Sequence, residues 1–99
     1  MKNSLLNIIE NYGIKHQLKK LNEEIFELNE AIINAENNRL IGICRKPSEI
    51  AIQHIAEEIA DCYVMLEQFR LYYDIKIENV KNIMEYKINR QMKRMEQIK

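Results

Sequence analysis

The sequence predicts an all-α domain with a four-helix, bundle-like fold completed by oligomerisation. Three observations carry this expectation. Only two Gly and one Pro occur in 99 residues, too few turn residues for a β sandwich. Apolar residues recur at spacings of three and four along most of the chain, which is the period of one helix face. Four such segments separated by short breaks read as a single bundle-like domain over residues 1–99.

The first helix is expected to start at Asn3 or Ser4, both good N-caps, and to run through LLNIIENY to a stop at Gly13. A second helix follows from Ile14, with Leu18, Leu21, Ile25, Leu28 and Ile32 as its stripe. It is expected to fade at AENNRLIG, where Asn37, Asn38 and Gly42 signal a loop that continues to Pro47. Ser48 caps the third helix, whose stripe is Ile52, Ile55, Ile59, Cys62, Leu66, Phe69 and Tyr73, and Asp74 marks its break. The fourth helix spans about Ile77 or Glu78 to Gln97, carrying Val80, Ile83, Met84, Ile88 and Met95. Each stripe ends after about three heptads, short for an extended coiled coil. A chain of this length buries only about two thirds of its unfolded surface, so these broad apolar faces predict self-association.

Composition excludes several classes of function. Lys plus Arg and Asp plus Glu are 15 each, so the net charge is zero and the general attraction to nucleic acid is missing. No apolar run approaches the roughly 20 residues that cross a bilayer, and MKNSLLNIIENYG, broken by Asn7 and Glu10, is no secretory signal. Cys44 and Cys62 form neither a CxxC site nor a paired framework, which predicts a reduced, cytoplasmic protein.

The chemistry lies in a doubled acidic pattern. Residues 21–28 read LNEEIFEL and residues 55–62 read IAEEIADC, offset by 34. Glu24/Glu27 and Glu58/Asp61 are each spaced i, i+3, so both carboxylates of a pair lie on one side of their helix. Leu21 and Leu28 bracket Glu24, and Ile55 and Cys62 bracket Glu58, which puts these acids at the border of the core. A lone pair of this kind is ordinarily a solvated face; two in the same register predict four converging carboxylates. Two carboxylates about 5 Å apart repel by roughly 3 kcal/mol at an effective dielectric near 20, so protons or a cation must offset them. An all-oxygen set fits a hard ion, Mg²⁺ or Mn²⁺, and lacks the Glu-x-x-His pairs of di-iron bundles. Mg²⁺ held by carboxylates keeps sites open for substrate phosphates, so the chemistry implied is metal-assisted attack on a phosphate ester or anhydride. On the fourth helix Lys87, Arg90 and Arg94 fall on one face and could hold polyphosphate oxygens. The same residues would also complement a helix C-terminus.

With these residues in view, the chain resembles the MazG-like nucleotide pyrophosphohydrolases of the all-α NTP pyrophosphatase superfamily. The resemblance runs through HQLKKLNEEIFELNEAI, HIAEEIADCYVMLEQ and YKINRQMKR, most of the chain. It implies a MazG-type fold, Mg²⁺-dependent hydrolysis of ribo- or deoxynucleoside triphosphates to the monophosphate and pyrophosphate, and a homodimer or homotetramer. It makes Glu24, Glu27, Glu58 and Asp61 the metal ligands. Lys87 and Arg90, with Asn89 beside them, become phosphate contacts, and Gln17 a substrate contact. Either Glu23 or Glu57 would orient the attacking water. Thirty residues separate Glu27 from Glu58, a long connection, and Asn34 stands where relatives often carry Lys; both departures bear on substrate choice.

Other residues are read as structural. His54, His16 and Cys62 are taken as surface or packing residues, Cys44 as a loop residue, and Tyr12, Phe26, Tyr63, Tyr72, Tyr73 and Tyr86 mostly as core. Two competing expectations stand beside the leading one: the related phosphoribosyl-ATP pyrophosphatase activity, and a non-enzymatic helical interaction module with solvated acidic faces.

Overall fold

The computed structural model describes residues 2–40 and 47–98, and the chain is all-α. Its helices are α1 (Lys2–Tyr12), α2 (Ile14–Leu40), α3 (Glu49–Tyr72) and α4 (Ile77–Ile98). Among the described residues none of these helices is long and apolar enough to cross a membrane. Gly42 and Cys44 lie outside the described residues.

Local chemistry sets most of the breaks. Gly13 adopts a φ of 87°, a left-handed conformation that side chains disfavour. Its N–H donates to Ile9 O at 2.9 Å and its carbonyl accepts from Gln17 N at 3.1 Å, so one residue ends α1 and starts α2. Ser48 caps α3 as expected, its Oγ accepting from Ala51 N at 3.1 Å. At the other end Asp74 takes a φ of 53°. Ile75 N donates to Arg70 O and Asp74 N to Leu71 O, the paired bonds of a Schellman closure.

Two boundaries differ from expectation. α1 begins at Lys2, which puts Asn3 and Ser4 inside its first turn. α2 continues through Asn37 and Asn38 to Leu40. No Gly or Pro precedes Gly42 there, so no residue before it breaks the helix.

α1, α2 and α3 pack on one another. Gln17 meets Gln68 while Glu24 and Glu27 meet Glu58, so α2 and α3 run in opposite directions. The side of each helix that faces inward is not the centre of its apolar stripe. Among the described residues, those buried on α2 are Gln17, Glu24, Ala31 and Ala35, and on α3 Glu58, Cys62, Met65 and Gln68. Leu18, Ile25 and Ile32, expected in the core, remain exposed, as do Ile52, Ile59, Leu66 and Tyr73. Both helices are rotated toward their acidic flank because α1 docks there with Leu5 and Ile9 buried.

α4 projects from this three-helix body. Arg70 ties its base to α3: the guanidinium forks onto both Glu67 oxygens and Nη1 donates to Ile75 O at 2.7 Å. From Lys81 to Gln97 every α4 residue is exposed.

Candidate metal centre

The 34-residue offset and the antiparallel pairing bring Glu24 and Glu58 to the same level of the α2–α3 interface. One carboxylate oxygen from each of Glu24, Glu27 and Glu58 lies within 4.8 Å of the other two. Glu24 and Glu58 are only 6% and 8% exposed, and the Oε2 atom of each has no hydrogen-bond partner. A buried carboxylate oxygen without a donor is costly, because water has been removed and nothing has replaced it. The remaining oxygens are approached by bases one turn upstream. Lys20 Nζ lies 3.0 Å from Glu24 Oε1, and His54 Nδ1 lies 3.9 Å from Glu58 Oε1. Lys20 and His54 are themselves 34 apart, so this support belongs to the same repeat.

The electrostatics agree with the geometry. The charge of Glu24, then desolvation, then the charge of Glu58 pushes the Glu27 carboxyl above the usual range. A hydrogen bond and the charge of Glu24 hold the Lys20 ammonium above its ordinary value. Burial, with Glu24 adding to it, raises the Cys62 thiol and makes that free cysteine an inert packing residue. Two buried orphan oxygens and a third carboxylate, with no nitrogen or sulfur donor among them, fit a hard divalent cation.

Beside the acids a cavity of about 610 Å³ opens between α1, α2 and α3, lined by Tyr12, His16, Gln17, Glu24, Asp61 and Gln68 among others. Its floor is a polar network. Gln17 Nε2 donates to Gln68 Oε1 at 2.8 Å, and His16 Nδ1 lies 2.8 Å from Gln17 Oε1. Tyr12 and His16 stack at 4.9 Å with an interplanar angle of 18°, forming an aromatic wall.

The sequence-derived candidates separate into groups. Glu24, Glu27 and Glu58 converge; Asp61 is exposed and lines the cavity with Glu24. Glu23 also lines that cavity, whereas Glu57 borders a separate depression with Glu49 and His54. Gln17 is in the cavity wall but commits its carboxamide to Gln68 and His16. Lys87, Asn89 and Arg90 stand exposed on α4 and line none of this cavity, and the Arg90 guanidinium sits 5.8 Å from the Tyr86 ring. Sequence reasoning missed Lys20, Gln68 and the Tyr12–His16 stack. The i, i+4 spacing of Lys20 to Glu24 and of Tyr12 to His16 was the available signal for two of them. For Gln68, a polar residue beside the apolar stripe of α3 was the only one.

No protein-family model matches the chain, and no curated protein or solved structure matches it.

Proposed function

We propose that the chain is a divalent-metal-dependent nucleoside triphosphate pyrophosphohydrolase of the MazG-like kind. The observation that carries this reading is the pair of buried, unpartnered oxygens, Glu24 Oε2 and Glu58 Oε2, beside a cavity of nucleotide size. Glu24, Glu27 and Glu58 would hold Mg²⁺ or Mn²⁺, with Asp61 on the cavity side of the same centre. Bound there, the ion would supply Lewis-acid polarisation of a phosphate and lower the pKa of water.

The chain's own residues have distinct tasks in this reading. Glu23 is the better placed of the two candidate bases, since it borders the cavity and Glu57 does not. It would accept the proton as water oxygen attacks the α-phosphorus; the α–β anhydride bond breaks and pyrophosphate leaves. Lys20, also in the cavity wall, offers a cation to the departing oxygens. Tyr12 and His16 present a stacked pair on which a base can lie. Lys87, Asn89 and Arg90 have no part in this reading of a single chain.

The test is pyrophosphate release from a panel of canonical and modified nucleoside triphosphates, with Mg²⁺ and with chelator. The expected result is Mg²⁺-dependent release with the monophosphate as co-product, abolished in Glu58→Gln. Folded protein that releases no pyrophosphate from any of them would overturn the reading; release from phosphoribosyl-ATP alone would replace it.

A further inference from the structure

The two buried carboxylates of the acidic cluster differ in what stands beside them. Lys20 Nζ lies 3.0 Å from Glu24 Oε1, whereas His54 Nδ1, its counterpart 34 residues on, stays 3.9 Å from Glu58 Oε1. Lys20 lines the large cavity with Glu23, Glu24 and Asp61, and His54 lines the separate depression with Glu49 and Glu57. Only the α2 member of the repeat therefore brings a cation to the cavity. That ammonium is lightly held. It has three N–H donors, yet beyond Glu24 its one other ion pair among the described residues is to Glu23 Oε2 at 3.9 Å, outside hydrogen-bond reach. Its side chain is 45% exposed, against 8% for that of Glu24. The fold fixes the carboxylate, while the ammonium can turn on its four-carbon stem.

We propose that Lys20 is the internal counterion of the cluster in the metal-free chain, and that it is released to bind phosphate when the cluster takes up its divalent cation. This rests on the metal reading of Glu24, Glu27 and Glu58 given above. The physical reason is competition for one carboxylate. In the metal-free chain Lys20 offsets part of the repulsion among three acids by sitting on Glu24. With a divalent charge on that carboxylate the ammonium is no longer needed there, and it is repelled twice as strongly as by a single charge. Lys20 already belongs to the cavity wall, so leaving Glu24 takes it toward the space a phosphate would enter. There its point charge suits phosphate oxygens. His54 has no such route, because its depression lies apart from the cavity. Metal and phosphate are thereby coupled: the cavity gains a phosphate-binding cation when the cluster is loaded, and phosphate that captures Lys20 strengthens metal binding by the same factor. The opposite role for Lys20 is to orient Glu24 as a supporting neighbour of a metal ligand, and its loss would then weaken metal binding. As a competitor, its loss strengthens metal binding.

Two binding measurements test the proposal without turnover: Mn²⁺ titration read by the free-ion electron paramagnetic resonance signal, and calorimetric titration of pyrophosphate into Mn²⁺-loaded protein. Lys20→Met is expected to bind Mn²⁺ at least about threefold more tightly than wild type. Once loaded, it is expected to bind pyrophosphate at least about tenfold more weakly. Lys19→Met removes an equal charge from the same cavity wall and should shift either constant by less than about twofold. Mn²⁺ binding by Lys20→Met that is unchanged or weaker, pyrophosphate binding that is undiminished, or equal shifts in Lys19→Met would overturn this role for Lys20 and leave the metal centre standing. Wild-type protein that binds no Mn²⁺ would overturn the metal reading and this inference with it.

Discussion

Glu24 on α2 and Glu58 on α3 hold equivalent positions in a 34-residue repeat, and each buries an Oε2 atom with no hydrogen-bond partner. Antiparallel packing lets a motif present once on each helix face itself, and the register of α2 on α3 sets Glu24 level with Glu58. With Glu27 beside them, the two carboxylates form an acidic cluster. Like charges about 5 Å apart repel by roughly 3 kcal/mol at an effective dielectric near 20. The fold therefore stores repulsion that a divalent cation would relieve.

That stored repulsion predicts the behaviour of Glu58→Gln in chelator. Removing one buried charge should stabilise the metal-free fold by about 1 kcal/mol, which is about 4–8 °C in Tm for a domain of this size. Under the proposed metal reading Mg²⁺ would raise the Tm of wild type, and the variant should lose that rise. Thermal melts of both proteins, with chelator and with Mg²⁺, check the two effects together.

Glu27 adds a pH dependence of definite sign. Its carboxyl is raised, chiefly by Glu24, so the folded chain binds a proton more readily there than the unfolded chain does. Stability from this group is present in acid and is lost as pH rises through the elevated carboxyl range. Tm in chelator is expected to fall across that range, and Glu27→Gln to flatten the fall. An ion held there as proposed would compete with the same proton, so Mg²⁺ affinity should increase as pH rises through the same window.

Gln68 bears on the cavity floor through Gln17. Both are buried, and Gln17 Nε2 has Gln68 Oε1 as its acceptor at 2.8 Å. Gln68→Ala leaves that amide without its oxygen partner and should cost about 1–3 kcal/mol. Replacing both by Leu removes donor and acceptor together and should cost less than Gln68→Ala alone. Urea unfolding of the three proteins decides between those outcomes.

Arg70 controls how α4 leaves the body. Its fork on Glu67 and its bond to Ile75 O close the α3–α4 turn, and Glu67 is held below the usual carboxylate range mainly by that hydrogen bond. The pair is partly exposed, so screening limits its worth; Arg70→Ala should cost about 1 kcal/mol. The effect should be largest at neutral pH and fade as acid protonates Glu67. Hydrogen exchange at residues 73–80 should quicken in the variant.

The parts of this fold that were legible in the sequence are those with local causes. Gly13, Ser48 and Asp74 stop or start helices through their own backbone chemistry, and the structure places each break there. Periodicity told helix from strand but did not choose the inward side. A stripe such as Leu18, Leu21, Ile25, Leu28 and Ile32 spans enough arc that a partner helix can take either edge, and α1 decided for the acidic edge. That choice buried Glu24, Glu58, Gln17 and Gln68 and left Ile25 and Ile59 outside. Three of the four expected acids, Glu24, Glu27 and Glu58, were legible as a cluster because two motifs shared one register, whereas Asp61 stands exposed outside it. The distance of Lys87 and Arg90 from the cavity was not, since it follows from how α4 leaves the Arg70 turn.

Titration of Mn²⁺ into the chain, followed by loss of the free-ion electron paramagnetic resonance signal, tests the metal centre most directly. The account predicts saturable binding that Mg²⁺ displaces and that Glu24→Gln or Glu58→Gln abolishes while helicity persists. Wild-type protein that leaves the free Mn²⁺ signal unchanged, or variants that bind as wild type does, would contradict it.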